Sequence, residues 1–587
     1  VQVIATAGHV DHGKSALLRA LTGMEPDRWA QEQRRGLTID LGYVWMTLPS
    51  GEKLAFVDVP GHARFVPNML AGVGPVPAVL FVVAADGGWM PQSAEHLAAV
   101  DALGISRGLL AVTRSDLADP AAAMAEAREM IGHSSLGEIP AVAVSAVTGL
   151  GLAELTSALG RLCDQLPLPG QQAPVRMWID RAFSVTGAGT VLTGTLPAGT
   201  ISRGDELLLA PSMRPVKVRG LQSLGDPVEA AHGVARVALN VRGVEAREAG
   251  RGMALVRAGE WTLTSVIDVR IGGEEPLPRL VALHVGSARV QARIRMLGGR
   301  LARLTLSEKL PLHVGERVLL RDPGAAEGGL AGAVVLDAAP PPIARRGAAA
   351  GAVAELSSWP DQPRAADLIR RHHVLLLGDL AAMGFSEVPP PVVPGWAADP
   401  AYLDGLRPAL AALVSSHAAQ NPLSGGLPAD AARSALGLPD REFVRVLLPK
   451  DLKVEGGLIV TGGGARATPA GLPGSLAGPV GELLAELAGH PFSAPEAGRL
   501  RELGLDGRAL ATAARHGALL RIAGNLVLGP GADQAAGRVL AELRQPFTAA
   551  EARAALQTTR RTLIPLLEYL DRARITRRLP DDRREVR

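Results

Sequence analysis

The run Gly8-His9-Val10-Asp11-His12-Gly13-Lys14-Ser15, placed between the apolar Val1–Ile4 and a segment with Leu17, Leu18 and Leu21 at helical spacing, is the feature that most restricts this chain. It has the form G-x-x-x-x-G-K-[ST], a loop between strand and helix whose glycines let backbone N–H groups turn inward on phosphates. Lys14 is spaced to reach the β and γ phosphates, and Ser15 offers a hydroxyl to Mg²⁺. The helix opening at Lys14 adds the positive end of its dipole. A nucleoside triphosphate is the implied ligand, with Gly8, Asp11, His12, Gly13, Lys14, Ser15 and Ala16 as its expected contacts.

Residues 1–170 alternate strand-like runs (Val3–Thr6, Lys53–Val57, Val79–Val83, Leu109–Val112, Ala141–Val144) with helical segments such as Ser93–Leu103. That order predicts a parallel sheet covered by helices, with ligands at the carboxyl ends of the strands. Other chemistry-bearing motifs fall at those ends. The Asp58 carboxylate can hold Mg²⁺, the Gly61 N–H can meet a γ-phosphate, and Thr38, in the loop Arg35-Gly36-Leu37-Thr38, could complete the metal shell. In Thr113-Arg114-Ser115-Asp116, the Asp116 carboxylate can accept both N1–H and the 2-amino hydrogens of guanine, a pair adenine lacks. Ser145-Ala146 places a backbone N–H near O6.

In this order, Gly8–Ser15, Arg35–Thr38, Asp58–His62, Thr113–Asp116 and Ser145-Ala146 resemble the motifs of the translational GTPases. The departure is Thr113-Arg114, where the wider family usually has Asn-Lys: Thr113 loses an amide that would contact the base and brace the phosphate loop, while Arg114 can still lie over the ring. The resemblance implies that His62 positions the attacking water, with Val10 and Leu37 as an apolar gate around it.

Past Pro167–Gly170 the pattern turns to short strands and Gly-rich turns, which predict antiparallel β-barrels over 174–258 and 262–340. Thr186–Gly194 resembles the first strand and turn of the barrel that follows the GTPase in elongation factor Tu. Pro340-Pro341-Pro342 marks an expected stiff boundary. Beyond it the chain is helical and repeats itself: Pro491-Phe492-Ser493-Ala494-Pro495-Glu496-Ala497 recurs as Pro546-Phe547-Thr548-Ala549-Ala550-Glu551-Ala552. With Ser493 and Thr548 as expected N-caps, four tandem winged helices are predicted over 350–587. The last, from about 537 to 587, carries Arg553, Arg560, Arg561, Arg572, Arg574, Arg577 and Arg578, and arginine forks of this kind suit RNA phosphates and unstacked bases.

Composition narrows the setting. With 587 residues, 47% of them apolar and 20% charged, the chain exceeds one core, and its single cysteine excludes a disulfide framework. No run reaches membrane-spanning length and no export signal opens the chain, so a cytoplasmic monomer without membrane contact is expected.

Taken together, the order GTPase, two barrels, tandem winged helices is similar to that of the bacterial selenocysteine-specific elongation factors. The stretches Thr38–Tyr43, Asp58–His62 and Asn68–Gly74 look like that family more than elongation factor Tu. The resemblance implies GTP and Mg²⁺ as cofactors, with selenocysteinyl-tRNA, the ribosome and an mRNA hairpin at a UGA codon as partners. It implies an amino-acid pocket in the first barrel at Asp180, Arg181 and Arg236. Two other classes stay open: another two-barrel GTPase, such as an initiation-type tRNA carrier or a sulfate-activating subunit, and a nucleic-acid-binding regulator switched by GTP.

Overall fold

Strand β1, Gln2–Ala7, is buried at every position. It lies parallel to β3 (Lys53–Asp58) on one side and β4 (Ala78–Ala84) on the other. Such double-sided burial requires a continuous apolar run, not alternation. The computed structural model describes every residue of the chain except 27–39, 62–65, 75, 169, 188, 274–275, 326–328, 344–346, 422–425, 462–471 and 473. The first sheet has the order β2-β3-β1-β4-β5-β6, with β5 at Gly108–Thr113 and β6 at Ala141–Ala143. Its helices are α1 (Lys14–Thr22), α2 (Val66–Val73), α3 (Pro91–Ala102), α4 (Pro120–Gly132) and α5 (Leu152–Asp164). The expected all-parallel sheet needs one correction: β2, Gly42–Thr47, runs antiparallel to β3 at the edge.

Two barrels follow. In the first, β7 (Arg176–Val185), β8 (Gly189–Leu196), β10 (Glu206–Ala210), β11 (Arg214–Ser223), β14 (Ala235–Arg242) and β15 (Ala254–Val256) pair in a ring, which the β10–β11 pairing closes. The short strands β9 (Thr200–Ser202) and β13 (Ala230–His232) pair with each other, and β12 (Asp226–Val228) adds to β11. The second barrel is closed by β16 (Thr262–Ile271), β17 (Leu280–Val285), β18 (Ala288–Gly298), β19 (Leu301–Leu312), β20 (Arg317–Arg321) and β21 (Leu330–Asp337).

Among the described residues the remainder contains four sets of helices; the last three each end in a short strand pair, whereas in the first the paired strands Val374–Leu376 and Trp396–Ala398 flank a helix, and the compact bodies divide at Asp399–Pro400. Pro340–Pro342 lie between the last strand of the second barrel, which ends at Asp337, and the first helix, which begins at Ala348. The first helical set, Ala348–Ala398, shares an apolar core with the second barrel through Leu356, Trp359, Leu368 and Leu380. A buried ionic network reinforces that seam. Arg303 Nε lies 2.7 Å from Asp268 Oδ1, Arg371 pairs with Asp268 and sits 2.9 Å from Asp337 Oδ2, and His372 Nε2 is 3.0 Å from the same Asp337 oxygen.

In the unit Pro400–Arg587 the third and fourth sets share one core, with Leu483, Leu510 and Val527 joined to Leu540, Phe547 and Leu566. The helix that opens the fourth set begins at Ala532, so a boundary at 537 would cut it. Thr548 caps the next helix in a capping box with Glu551. Ser493 does not do the same. Pro495 disfavours the helical region at Ala494, and the equivalent helix starts later, at Ala497, with Glu496 as N-cap. Among the described residues, no helix is long and apolar enough to cross a membrane.

Candidate functional site: a nucleotide cradle joined to a charged pocket

The loop after β1 is built for close approach. Gly8 has φ +129°, and a Cβ there would lie 2.1 Å from the Val82 carbonyl oxygen. Gly13, in the left-handed region, caps α1 without any side-chain cap, so the first-turn N–H groups of α1 remain available to an anion. Lys14 is buried, and its Nζ donates to the carbonyl oxygens of Gly8 (3.0 Å) and His9 (2.7 Å). A Cβ on Gly61 would stand 2.5 Å from the Val10 backbone nitrogen and 2.7 Å from that Nζ, so the Val10 backbone leaves room only for glycine here.

Helix α3 holds the loop from behind. Gly8 N donates to His96 Nδ1 (3.0 Å) and Val10 N to Gln92 Oε1 (2.9 Å). Burial, with Lys14 nearby, pushes the His96 pKa down to about 3; burial and His9 push His12 down to about 4. Both rings are therefore neutral at physiological pH, which leaves the His96 Nδ1 lone pair free to accept. Neither Gln92 nor His96 was singled out from sequence.

The oxygen donors for a metal converge. Ser15 Oγ donates to Asp58 Oδ2 (2.6 Å), and Thr6 Oγ1 donates to Asp58 Oδ1 (2.9 Å). A hydroxyl and a buried carboxylate suit Mg²⁺, a hard cation that prefers oxygen. Thr38, Leu37 and His62 lie outside the described residues.

The loop Thr113–Asp116 corrects one expectation. Thr113 is buried, and its hydroxyl donates to the His12 carbonyl oxygen (2.7 Å), so it supplies the brace to the phosphate loop that the missing amide was expected to withdraw. The Arg114 head is committed to the Asp86 carboxylate (3.1 Å) and the Asp11 carbonyl oxygen, and does not lie free for a ring. Asp116 is exposed at the end of this loop. Ser145 is buried and its Oγ accepts from Thr148 N (3.1 Å), fixing the turn that carries Ala146.

Asp180, Arg181 and Arg236 come together where the first barrel meets β2. Arg236 forks onto Asp180, which also accepts from Tyr43 Oη (3.0 Å) and Thr193 Oγ1 (2.6 Å). The Arg236 guanidinium stacks 3.6 Å from the Tyr43 ring centre. Arg181 donates to the Leu41 carbonyl oxygen (2.6 Å) and lies 3.1 Å from Asp40, which also pairs with Arg251 at 3.2 Å. Burial pushes the Tyr43 phenol well above its ordinary range, so it stays protonated. Among the described residues, three guanidinium groups thus face two carboxylates, an excess of one positive charge. Tyr43, Asp40 and Arg251 were not legible as site residues, because each gains its partner from another domain.

The arginines of the last helical set separate into two groups. Arg577 and Arg578 pair with Glu585 and Asp582, and Arg561 donates to the Pro495 carbonyl oxygen of the preceding set (2.7 Å). Arg553, Arg560 and Arg574 are exposed and form no ion pair among the described residues.

Three family models match: the elongation factor Tu GTP binding domain over residues 1–165, the selenocysteine-specific elongation factor beta-barrel domain over 264–342, and the elongation factor SelB winged helix over 538–584. The chain is 38% identical over 357 residues to a selenocysteine-specific elongation factor of Escherichia coli (strain K12), an alignment covering 59% of this chain and 56% of that one. It is 33% identical to elongation factor Tu 2 of Streptomyces avermitilis over 44% of this chain and 72% of that protein. A crystal structure of a bacterial selenocysteine-specific elongation factor, EF-Sec, superposes with a TM-score of 0.80 at 26% identity, covering 100% of this chain and 99% of that one. The chain belongs to the SelB-type translational GTPases. It spans about half the length of the curated selenocysteine-specific factors it matches, 56% and 48% of the first two. Within this family the cradle is a guanine-nucleotide site, and the matched barrel and winged-helix segments account for two of the regions that follow the GTPase domain in sequence.

Proposed function

We propose that this chain binds GTP with Mg²⁺, carries selenocysteinyl-tRNA, and delivers it in the cytoplasm, as a monomer, to the ribosomal A site at UGA codons specified by an mRNA hairpin. The observation that carries this reading is that, among the described residues, Arg181, Arg236 and Arg251 face only two carboxylates, Asp180 and Asp40. A selenol is far more acidic than a thiol or hydroxyl, so selenocysteine arrives as a monoanion and matches the one positive charge in excess. Serine and methionine do not, which weighs against an initiation-type carrier. A sulfate-activating subunit or a GTP-switched regulator gives the pocket no such purpose.

The tRNA itself is a polyanion, and β18 presents Arg289, Arg293 and Arg295 outward on alternate positions with no ion pair among the described residues. Affinity should fall with salt accordingly. In the nucleotide cradle, Ser15, Thr38 and Asp58 would hold Mg²⁺, which supplies charge neutralisation across the β and γ phosphates. Lys14 and the first-turn N–H groups of α1 bind the phosphates, while His62 orients the attacking water; in phosphoryl transfer, positioning and charge account for most of the catalysis.

Two substitutions test the assignments. If Asp116 reads guanine, Asp116→Asn favours xanthosine nucleotides, whose C2 bears an oxygen; competition binding with GTP and XTP measures this, and an unchanged preference for GTP removes Asp116 from base recognition. Arg181→Ala or Arg236→Ala should weaken selenocysteinyl-tRNA at least tenfold, about 1.4 kcal/mol, and seryl-tRNA far less. Equal losses for both would reduce the cluster to a structural role.

A further inference from the structure

A guanine ring offers two polar edges to a protein. On one, N1–H and the 2-amino group donate, and Asp116 is the residue assigned above to accept both. On the other, O6 and N7 accept, and each needs a donor. The backbone N–H of Ala146 is the expected donor to O6. For N7 the neighbouring source is the loop that ends β5, because Thr113 stands beside the phosphate loop: a Cβ on Gly13 would lie 3.8 Å from its Oγ1.

The side-chain donors of that loop are already spent. A threonine hydroxyl has one hydrogen. That of Thr113, a residue only 2% exposed, goes to the His12 carbonyl oxygen at 2.7 Å, with the Val83 carbonyl oxygen 3.3 Å away. Arg114 sends one arm of its guanidinium to Asp86 at 3.1 Å and the other to the Asp11 carbonyl oxygen. Ser115 Oγ donates to the Val112 carbonyl oxygen at 3.0 Å. Two of these three side chains thus end on consecutive residues of the phosphate loop, Asp11 and His12. Since α3 holds the same loop at Gly8 and Val10, the stretch from Gly8 to His12 is clamped by two separate elements.

We infer that Thr113–Ser115 is a clamp on the phosphate loop and reads no edge of the base, so that guanine is recognised through N1, N2 and O6 while N7 is left without a side-chain partner. Thr113 is the position that determines this specificity: an amide there would have a second hydrogen to give, whereas a hydroxyl bonded to His12 has none left. Guanine nucleotides whose N7 cannot accept a hydrogen bond are therefore ligands of this site about as good as GTP. The inference rests on the Asp116 assignment made above.

The test uses the full chain and compares dissociation constants for GTP, for 7-deaza-GTP, in which C–H replaces N7, and for ITP, which lacks the 2-amino group. Wild-type protein should bind 7-deaza-GTP within about threefold of GTP and lose at least about tenfold with ITP, the scale of a hydrogen bond to a charged group. Thr113→Val keeps the shape and removes the hydroxyl, so GTP and 7-deaza-GTP should weaken by the same factor, about two- to tenfold, as the phosphate loop loses its brace. Thr113→Asn should instead open a gap of that size between the two nucleotides. A larger wild-type loss with 7-deaza-GTP, a Thr113→Val change that costs GTP more than 7-deaza-GTP, or a Thr113→Asn change that opens no gap overturns the inference. ITP losing no more than 7-deaza-GTP defeats the Asp116 assignment itself, and the inference with it.

Discussion

Asp268→Ala should cost about 3–5 kcal/mol in the unfolding of the second barrel and the helical set docked on it, the scale for breaking a buried ion pair and leaving its partner charge behind. Asp268 is fully buried and receives both Arg303 and Arg371, whose side chains are only 10% and 4% exposed. Removing it leaves the buried Arg303 guanidinium with only the Pro341 carbonyl oxygen, and Arg371 with Asp337 and Glu355. Asp361→Ala, which breaks the much more exposed pair with Arg270, should cost only about 0–1 kcal/mol. The network also has a pH signature through Asp337. Burial alone would push its carboxyl up, but the hydrogen bond and charge of His372, with Arg371, hold it below the ordinary range. Stabilisation from Asp337 is therefore complete above the unfolded carboxylate pKa of about 4 and is lost as pH falls below it. Denaturant unfolding, resolved by amide exchange at Ala365–His372 and β16, measures both effects. A loss under about 1 kcal/mol for Asp268→Ala would mean that the apolar seam alone holds the set in place.

Removing residues 530–587 should abolish hairpin-directed decoding and reduce hairpin affinity at least a hundredfold, about 2.7 kcal/mol, while leaving GTP binding intact. Within this segment, Arg560→Ala should matter more than Arg577→Ala, because Arg560 is exposed without an ion pair among the described residues whereas Arg577 is held by Glu585. The fragment that folds and binds alone should be 472–587 and not 537–587, since the shorter piece cuts the helix at Ala532–Ala541 and uncovers the core shared with the third set. Hairpin and scrambled RNA compared over a salt series separate base contacts from phosphate contacts. Equal affinity for both RNAs would leave only a nonspecific basic surface.

The phosphate loop was legible because its chemistry needs fixed residue types at contiguous positions: Gly8, Gly13, Lys14 and Ser15 act within one turn of chain. The strands of the first sheet were legible because they are buried on both faces and read as unbroken apolar runs. Edge strand β2 escaped notice, as did β17 and β21, although Gly286-Ser287 follows the one and Gly328-Gly329 precedes the other. Distance hid more. Gln92 and His96 act on a loop more than eighty residues away, and only the packing of α3 beneath it shows why they are there. Thr113 shows the limit of reading by family departure: a lost amide looked like a lost brace, yet the threonine hydroxyl reaches the same loop at the His12 carbonyl. In the repeat Pro-Phe-[Ser/Thr]-Ala-x-Glu-Ala, a single residue at x, Pro495 against Ala550, moves the helix start from Ala549 in one copy to the counterpart of Ala552 in the other.

The most direct measurement of the central claim is the deacylation rate of selenocysteinyl-tRNA and seryl-tRNA with the full chain, in the presence of GTP or GDP. If the excess positive charge at Arg181, Arg236 and Arg251 receives a selenolate, GTP-loaded protein slows the loss of selenocysteine strongly, protects seryl-tRNA little, and does much less for either with GDP. Equal protection of both tRNAs, or protection indifferent to the nucleotide, would contradict the account.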